Sequence, residues 1–444
     1  MFDLAKHNAS PLVEISAGLT TFFSMVYVLA ANPAILSQAG ISPSLLFTAT
    51  AVSVVVATLI MAFVANLPFA VAPGMGLNAF FVVIVTQMGF TVSQALTAVL
   101  LSGGIFVLLS VSPLREIVLR EVPKCLQHGV CAGIGLMIGY IGLMQSGVVV
   151  FNIDPLPAAA GLAPKGSVAV GLGNLTGGAG LLVVLGLVIT GVMLALKIRF
   201  AILLGIIATT AIGVPLGATQ TSALAGGFVS LPPDSSELLF NFDFSVLRSF
   251  EFWSIVLTLL FMEVVDGLAG FLGLFGVMGA DGERYRPKMS KAFIADSIGV
   301  AAGAALGVSP NTTYAESGSG VASGGRTGLT ALVVAICFFL ALFISPLFMI
   351  IPFSAVAPAL IMVGLLMLRS IAKVNFEDYT EIFPAFVVLI VVALSWRISD
   401  GLSLGWILYI IMKVVSGKRK QLTTTVWVVG LIFAFKMFVA GGGH

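Results

Sequence analysis

Apolar runs of about 18 or more residues recur from near Ile15 to the end of this chain, each long enough to cross a hydrocarbon core as a helix. In lipid every backbone polar group needs an internal partner, so many such runs leave one main solution, a polytopic helical bundle. A transmembrane β-barrel would show short alternating segments instead. Charged residues make up 9% of the 444 residues, against roughly 25% in a soluble domain. Met1 to Glu14 reads as polar. The run after it is longer than a signal h-region and has no clear cleavage site, so it reads as a true span. Cys125, Cys131 and Cys337 lie in or beside apolar runs, which argues against a disulfide framework or a metal site. No cofactor is implied.

The spans are placed near 16–36, 45–66, 69–88, 93–112, 124–145, 178–196 and 199–217, and near 251–275, 290–306, 311–323, 327–350, 353–370, 383–396 and 401–416. That makes fourteen, with a further apolar run at 424–440 left as a fifteenth span or an interfacial helix. Arg115, Arg120, Lys124, Lys197, Arg199, Arg284, Arg286, Lys288, Lys291, Arg326, Arg369, Lys373, Lys418, Arg419 and Lys420 all fall on one side. The positive-inside rule makes that side cytoplasmic. A multi-pass cell-membrane protein with a cytoplasmic N-terminus is expected. The opposite loop is acidic, with Asp234, Glu237, Asp243 and Glu251. The basic loop 281–291 is a topology signal, not a nucleic-acid site.

Two faint internal matches suggest duplication. "VPKCLQHGVCAGIGLM" (122–137) resembles "IPFSAVAPALIMVGLLM" (351–367), with Gly135 opposite Gly364; Pro123 and Pro352 are 229 apart. "APGMGLNAFF" (72–81) resembles "SPNTTYAESGSG" (309–320), with Asn78 mirroring Glu316; Pro73 and Pro310 are 237 apart. Seven spans per half is an odd number, so the second half enters from the opposite face. The expected architecture is two inverted repeats, with a binding site where broken helices meet near the midplane. The third and tenth segments, each opening on Pro and continuing with small or polar residues, are the candidate breaks.

Carboxylates inside a span are costly and should face the interior, be protonated or be paired. Glu263 and Asp266 lie three apart in the eighth span, on one helix face. Asp266 is favoured for function because Gly267 and Gly270 let backbone or ligand approach; the competing reading is a structural acid bonded to a neighbouring helix. Glu316 follows "TTYA" in the tenth segment, where Thr312 and Thr313 hydroxyls are placed to satisfy freed backbone groups; the competing reading is a capping carboxylate. Asn78 offers donors and an acceptor, or a purely structural hydrogen bond. Asp296 reads as structural, His128 as a packing residue, and "LSGGIF" and "GVCAGIG" as close helix packing.

"GLTTFFSMVYVLAANPAIL" (18–36), "APGMGLNAFF" (72–81) and "NTTYAESGSGVASGGRTGLTA" (311–331) closely resemble the adenine/guanine/hypoxanthine permeases, the azaguanine-type branch of nucleobase–cation symporters. The likeness runs essentially end to end. It implies the uracil-permease fold, with short antiparallel strands in segments three and ten. The core domain would comprise 1–113 and 251–350, and the gate domain 114–250 and 351–444. It also implies proton-coupled, or else sodium-coupled, import of a purine base, in a homodimer embedded in lipid. By position, Asp266 resembles the family's eighth-span substrate-binding acid, Glu263 a second acid, Glu316 the tenth-span acid and Asn78 the third-span polar residue. The family usually reads Asp-Thr followed by a Gly-Thr pair after that acid; here the run is "DGLAG", two hydroxyls fewer.

A purine is flat, neutral and rich in edge donors and acceptors. Guanine's N1–H and exocyclic amine suit a bidentate carboxylate, so Glu316 or Asp266 is expected to accept that pair. Backbone N–H groups near 313–316, including Thr313, or near 75–78 would meet the carbonyl, and Phe80 or Tyr27 would pack on the ring. Asp266, Glu316 and Glu263 are the candidates for proton coupling. The alternatives are another nucleobase or an anion on the same fold, an intramembrane enzyme and a passive channel. No HExxH or GxSxG motif supports an enzyme.

Overall fold

The computed structural model describes residues 2, 4, 9–112, 123–151, 170–198, 200–219, 227–278, 288–395 and 398–435. The fold is all-α and polytopic, and among the described residues fourteen helical or broken segments follow the order read from the sequence. The first is Pro11–Met25 continued by Val28–Leu36, bent at Val26–Tyr27, where the Leu29 and Ala30 N–H groups bond only three residues back. The second is Pro43–Ile60 with a π-turn over Met61–Ala65. The third breaks into strand β1 (Val71–Pro73) and helix Met75–Thr86. The fourth is Val92–Val111, opened by a capping box between Thr91 and Gln94. The fifth to seventh are Lys124–Gln145, Gly178–Ala195 and Ala201–Gly213. Between the fifth and sixth, β2 (Val149–Phe151) pairs with β3 (Val170–Leu172), a hairpin the apolar pattern does not announce.

The second half repeats the order. Spans eight and nine are Phe250–Val277 and Met289–Ala305. The tenth segment breaks into β4 (Asn311–Thr313) and helix Ser317–Ala322. Span eleven is Gly328–Ala341, extended by short turns to Met349. Spans twelve to fourteen are Phe353–Leu368, Tyr379–Ser395 and Ile398–Val415. Seven helices among the described residues are long and apolar enough to cross a membrane alone. The described part of the last helix, Thr424–Phe435, rises about 18 Å at about 1.5 Å per residue. It packs on span fourteen, where Trp406 Nε1 donates to the Val426 carbonyl at 3.0 Å. Residues 436–440 of the predicted run lie outside the described residues, as do Arg115, Arg120, Arg199, Arg284 and Arg286.

Packing sorts the spans into two groups. Spans one and two pack on eleven, span two on nine, and span four on eight and nine; span five packs along twelve and thirteen, thirteen on fourteen, and six and seven on each other and on twelve. β1 and β4 pair antiparallel inside the first group, Val71 opposite Thr313 and Pro73 opposite Asn311. In the second group Gly135 and Gly364 meet. A Cβ on Gly135 would stand 2.6 Å from the Gly364 carbonyl oxygen. The small-residue runs pack as expected, with Gly103 on Ala301, Gly129 on Ala385 and Gly133 on Leu389.

Two charged residues sit where polarity alone would not place them. Glu14, read as part of a polar leader, is fully buried inside the first helix. Its carboxylate accepts the Arg326 and Thr327 N–H groups at 2.9 and 3.3 Å and the Thr330 hydroxyl, at the start of span eleven. A helix N-terminus stabilises an acid there, which is why the first helix begins at Pro11 and not near residue 16. Lys413 is 1% exposed in span fourteen, with Nζ 2.8 Å from Gln421 Oε1, 3.4 Å from Glu381 and 3.8 Å from Asp378. Lys418 and the Thr380 hydroxyl hold the Asp378 carboxyl well below the usual carboxylate range. That depressed value stabilises the fold above about pH 4, the ordinary aspartate value, and the contribution is lost as pH falls below it. The Asp378→Asn/Glu381→Gln double variant leaves Lys413 buried without a counter-charge and is expected to cost about 3 kcal/mol. Lys413→Met should cost much less; thermal unfolding in detergent compares them.

Candidate functional site

The site is built around the β1–β4 crossing. Its backbone is satisfied by side chains as well as by the ladder. The Thr58 hydroxyl bonds both the N–H and the carbonyl of Val71, each at 3.1 Å. Ser317 Oγ accepts the Ala70 N–H at 3.0 Å, and Tyr314 donates its hydroxyl to the Pro73 carbonyl at 2.7 Å. Asn311 donates to the Ser53 hydroxyl and the Gly299 carbonyl, both at 2.8 Å. This work was expected of Thr312 and Thr313. Instead Thr312 Oγ1 has no partner among the described residues. Thr313 donates its hydroxyl to Asp296 Oδ1 at 2.8 Å.

Span eight runs beside the crossing, and its glycines set the spacing. A Cβ at Gly267 would stand 2.9 Å from Asp296 Oδ2, and one at Gly270 3.2 Å from the Thr313 carbonyl oxygen. The "DGLAG" departure thus has a packing reason: Asp296 and Thr313 press against the bare helix face. Asp296, read as structural, belongs to the site's frame. Glu263, one turn before Gly267, is 1% exposed and accepts the Ser102 hydroxyl at 2.7 Å. Glu263 Oε2 and Asp296 Oδ2 are both buried without partners among the described residues.

Two acids remain open. Asp266 is half-buried, and none of the hydrogen bonds or ion pairs among the described residues engages it. Cys131 of span five lies within electrostatic reach of it, so the second group of helices faces that acid. Glu316 is half-buried beside exposed Ala315. It stands at the head of helix Ser317–Ala322 but its side chain makes no cap bond, which disposes of the capping reading. Instead Glu316 Oε1 accepts the Tyr27 hydroxyl at 2.6 Å, within the range of charge-assisted hydrogen bonds. The first span clasps this half-helix further: the Ser24 and Ser319 hydroxyls lie 2.7 Å apart, and Gly320 seats against Ala17 and Thr21.

Three predicted residues are placed differently from expectation. Tyr27 is 2% exposed and holds Glu316 rather than presenting its ring to a ligand. Phe80 is wholly buried in the apolar core. Asn78 is also wholly buried; its amide oxygen accepts the Ser309 hydroxyl and its nitrogen faces the Met75 sulfur. Both belong to a helix packed on every side. Ser102 and Glu14 were missed as polar partners, because hydroxyl–acid pairs between distant spans leave no local pattern.

Two antiparallel strands, each leading into a half-helix, in one helical group packed against a second group, define a membrane transport fold of the core-and-gate kind. The transmembrane domain of a cyanobacterial bicarbonate transporter superposes with a TM-score of 0.60, at 13% identity, over 89% of this chain and 97% of that one. The chain belongs to the permease family, which it matches over residues 12–404. It is 38% identical to a guanine/hypoxanthine permease of Bacillus subtilis (strain 168), covering 99% of this chain and 100% of that one. It is 37% identical to an adenine permease of Escherichia coli (strain K12), covering 99% and 96%. The resemblance drawn from the motifs holds, and the protein is a multi-pass transporter, not an enzyme.

Proposed function

We propose that this permease imports purine nucleobases across the cell membrane by cation symport, the cation being a proton, with its N-terminus in the cytoplasm. The observation that carries the reading is the pair of open acids. Asp266 has no hydrogen-bond or ion-pair partner among the described residues, and Glu316 is half-buried with one oxygen held by Tyr27. A neutral, donor-rich base edge suits such acceptors, whereas an anion would be repelled. The names of the relatives point to the same substrate class.

Coupling rests on charge balance. No lysine or arginine pairs with Asp266, Glu263, Asp296 or Glu316 among the described residues. Intramembrane acids without counter-charges require protons, a cation or a ligand's donors. The packing groups support a core of 1–113 and 251–350 moving against a gate of 114–250 and 351–444.

Equilibrium binding tests this. Purified protein should bind labelled guanine, hypoxanthine or adenine, and other purines should displace the label while chloride, sulfate and bicarbonate do not. Displacement by an anion, or no purine binding at all, would contradict it. Tyr27→Phe should raise the KM for uptake about tenfold with a smaller change in Vmax, because it removes one charge-assisted bond that orients Glu316.

A further inference from the structure

Gly76 stands in the first turn of the third-segment helix, and Glu316 at the head of the tenth-segment one. The two sides of the crossing then differ. Glu316 and Ala315 are open, while Gly74, Met75, Gly76 and Leu77 are all buried. What covers Gly76 comes from the other helical group. A Cβ built there would stand 2.8 Å from Ile134 Cγ2, on span five, and 3.7 Å from Met367 Cε, on span twelve. Met367 Cε ends a flexible chain and can retreat. Ile134 Cγ2 cannot: it is attached at Cβ, and a β-branched side chain in a helix is confined to essentially one χ1 rotamer. The core therefore offers a bare backbone at the point where the gate presents a stiff methyl.

We infer that Gly76 is the seat on which Ile134, with Met367 beside it, closes the third-segment side of the site, and that making and breaking this contact is a step of the transport cycle. The seat acts by shape, as a positioning contact between core and gate, and takes no part in holding substrate. It rests on the core-and-gate division proposed above, but its test needs no substrate. Other joints between the groups, Phe23 on Phe200 and Phe261 on Trp406, are ring contacts with centroids 5.9 and 6.2 Å apart. Rings in edge or tilted contact can slide; a methyl set against a glycine gives a closed position with a defined fit.

Cys131 is a native reporter. It lies one turn before Ile134 on span five, with Sγ 3.8 Å from the Met367 carbonyl oxygen. In a Cys125→Ala/Cys337→Ala background, its maleimide alkylation rate reads how firmly the joint is closed. Gly76→Ala should raise that rate and lower uptake, each about tenfold, because the added methyl drives Ile134 off its seat. Ile134→Ala empties the seat and should raise the rate severalfold by itself. The double variant Gly76→Ala/Ile134→Ala returns one methyl to the same space and should restore alkylation and uptake to within about twofold of the parent. Alkylation unchanged in a folded Gly76→Ala or Ile134→Ala protein, or single-variant losses that simply add in the double variant, would overturn the inference. If the parent failed to import purines, the alkylation series would still decide it.

Discussion

Glu316→Gln and Asp266→Asn are each expected to weaken purine binding about a hundredfold or more. The reasoning is one of donors and acceptors. A carboxylate offers only acceptors to a base edge, and the Tyr27 hydroxyl already occupies Glu316 Oε1 at 2.6 Å. An amide replaces one acceptor by an N–H, which must then face either the tyrosine hydroxyl or the ligand's own N–H. Losing a hydrogen bond to a charged group costs about 1.5–3 kcal/mol, and an unmatched donor adds desolvation cost. At about 1.4 kcal/mol per decade this reaches two powers of ten. Asp266 has no partner among the described residues to rearrange, so Asp266→Asn should leave the thermal stability of the empty protein unchanged while binding falls. Glu316→Gln should lower stability slightly through Tyr27. Equilibrium binding and unfolding on the same samples separate the two effects. Wild-type affinity in both variants would remove the acids from the substrate site.

The second large effect concerns the gate. Gly135→Val or Gly364→Val is expected to prevent the folded protein from accumulating. At Gly135 an added Cβ meets the Gly364 carbonyl oxygen at 2.6 Å, Met367 Cβ at 2.7 Å and the Leu368 nitrogen at 2.8 Å. Gly364 in turn seats against the Gly135 carbonyl and Gly139. Backbone atoms cannot rotate away, so spans five and twelve must separate along their length. Overpacking that side chains can absorb costs about 1–3 kcal/mol, and an obstruction made of backbone exceeds it. Gly139→Ala is the control: its Cβ would meet nothing within 4 Å, and alanine is the better helix former by about 1 kcal/mol. It should be neutral or stabilising in detergent melts. Equal loss in Gly139→Ala would mean the span simply tolerates no added volume.

The spans and the two breaks were legible because hydropathy and proline are local signals. Lys124–Gln145 was bounded to the residue, and segments three and ten each break into an extended stretch and a half-helix, as read from their prolines and small residues. The Gly135–Gly364 match also survived, since a pseudo-two-fold brings equivalent small residues face to face. The register of the crossing was not legible. Ladder pairing is braced by Thr58, Ser317 and Tyr314, whose side chains bond the strand backbone. The acids were visible as costly residues, while their partners were not: Ser102 stands 161 residues from Glu263, and Tyr27 289 from Glu316. Hydroxyl residues are common in membrane helices, so nothing in the sequence marks the ones that meet a carboxylate. Glu14 misled for the opposite reason: it looks like a chain-end charge, and it is buried because a helix terminus meets it.

The most direct measurement of the central claim is uptake of labelled adenine, guanine, hypoxanthine, xanthine and uracil by purine-transport-deficient cells producing this protein, with and without an uncoupler. Concentrative uptake of at least one purine, little uptake of uracil and collapse of accumulation when the uncoupler is added is the predicted result. Uptake of no purine, or purine accumulation that persists without a proton gradient, would contradict it.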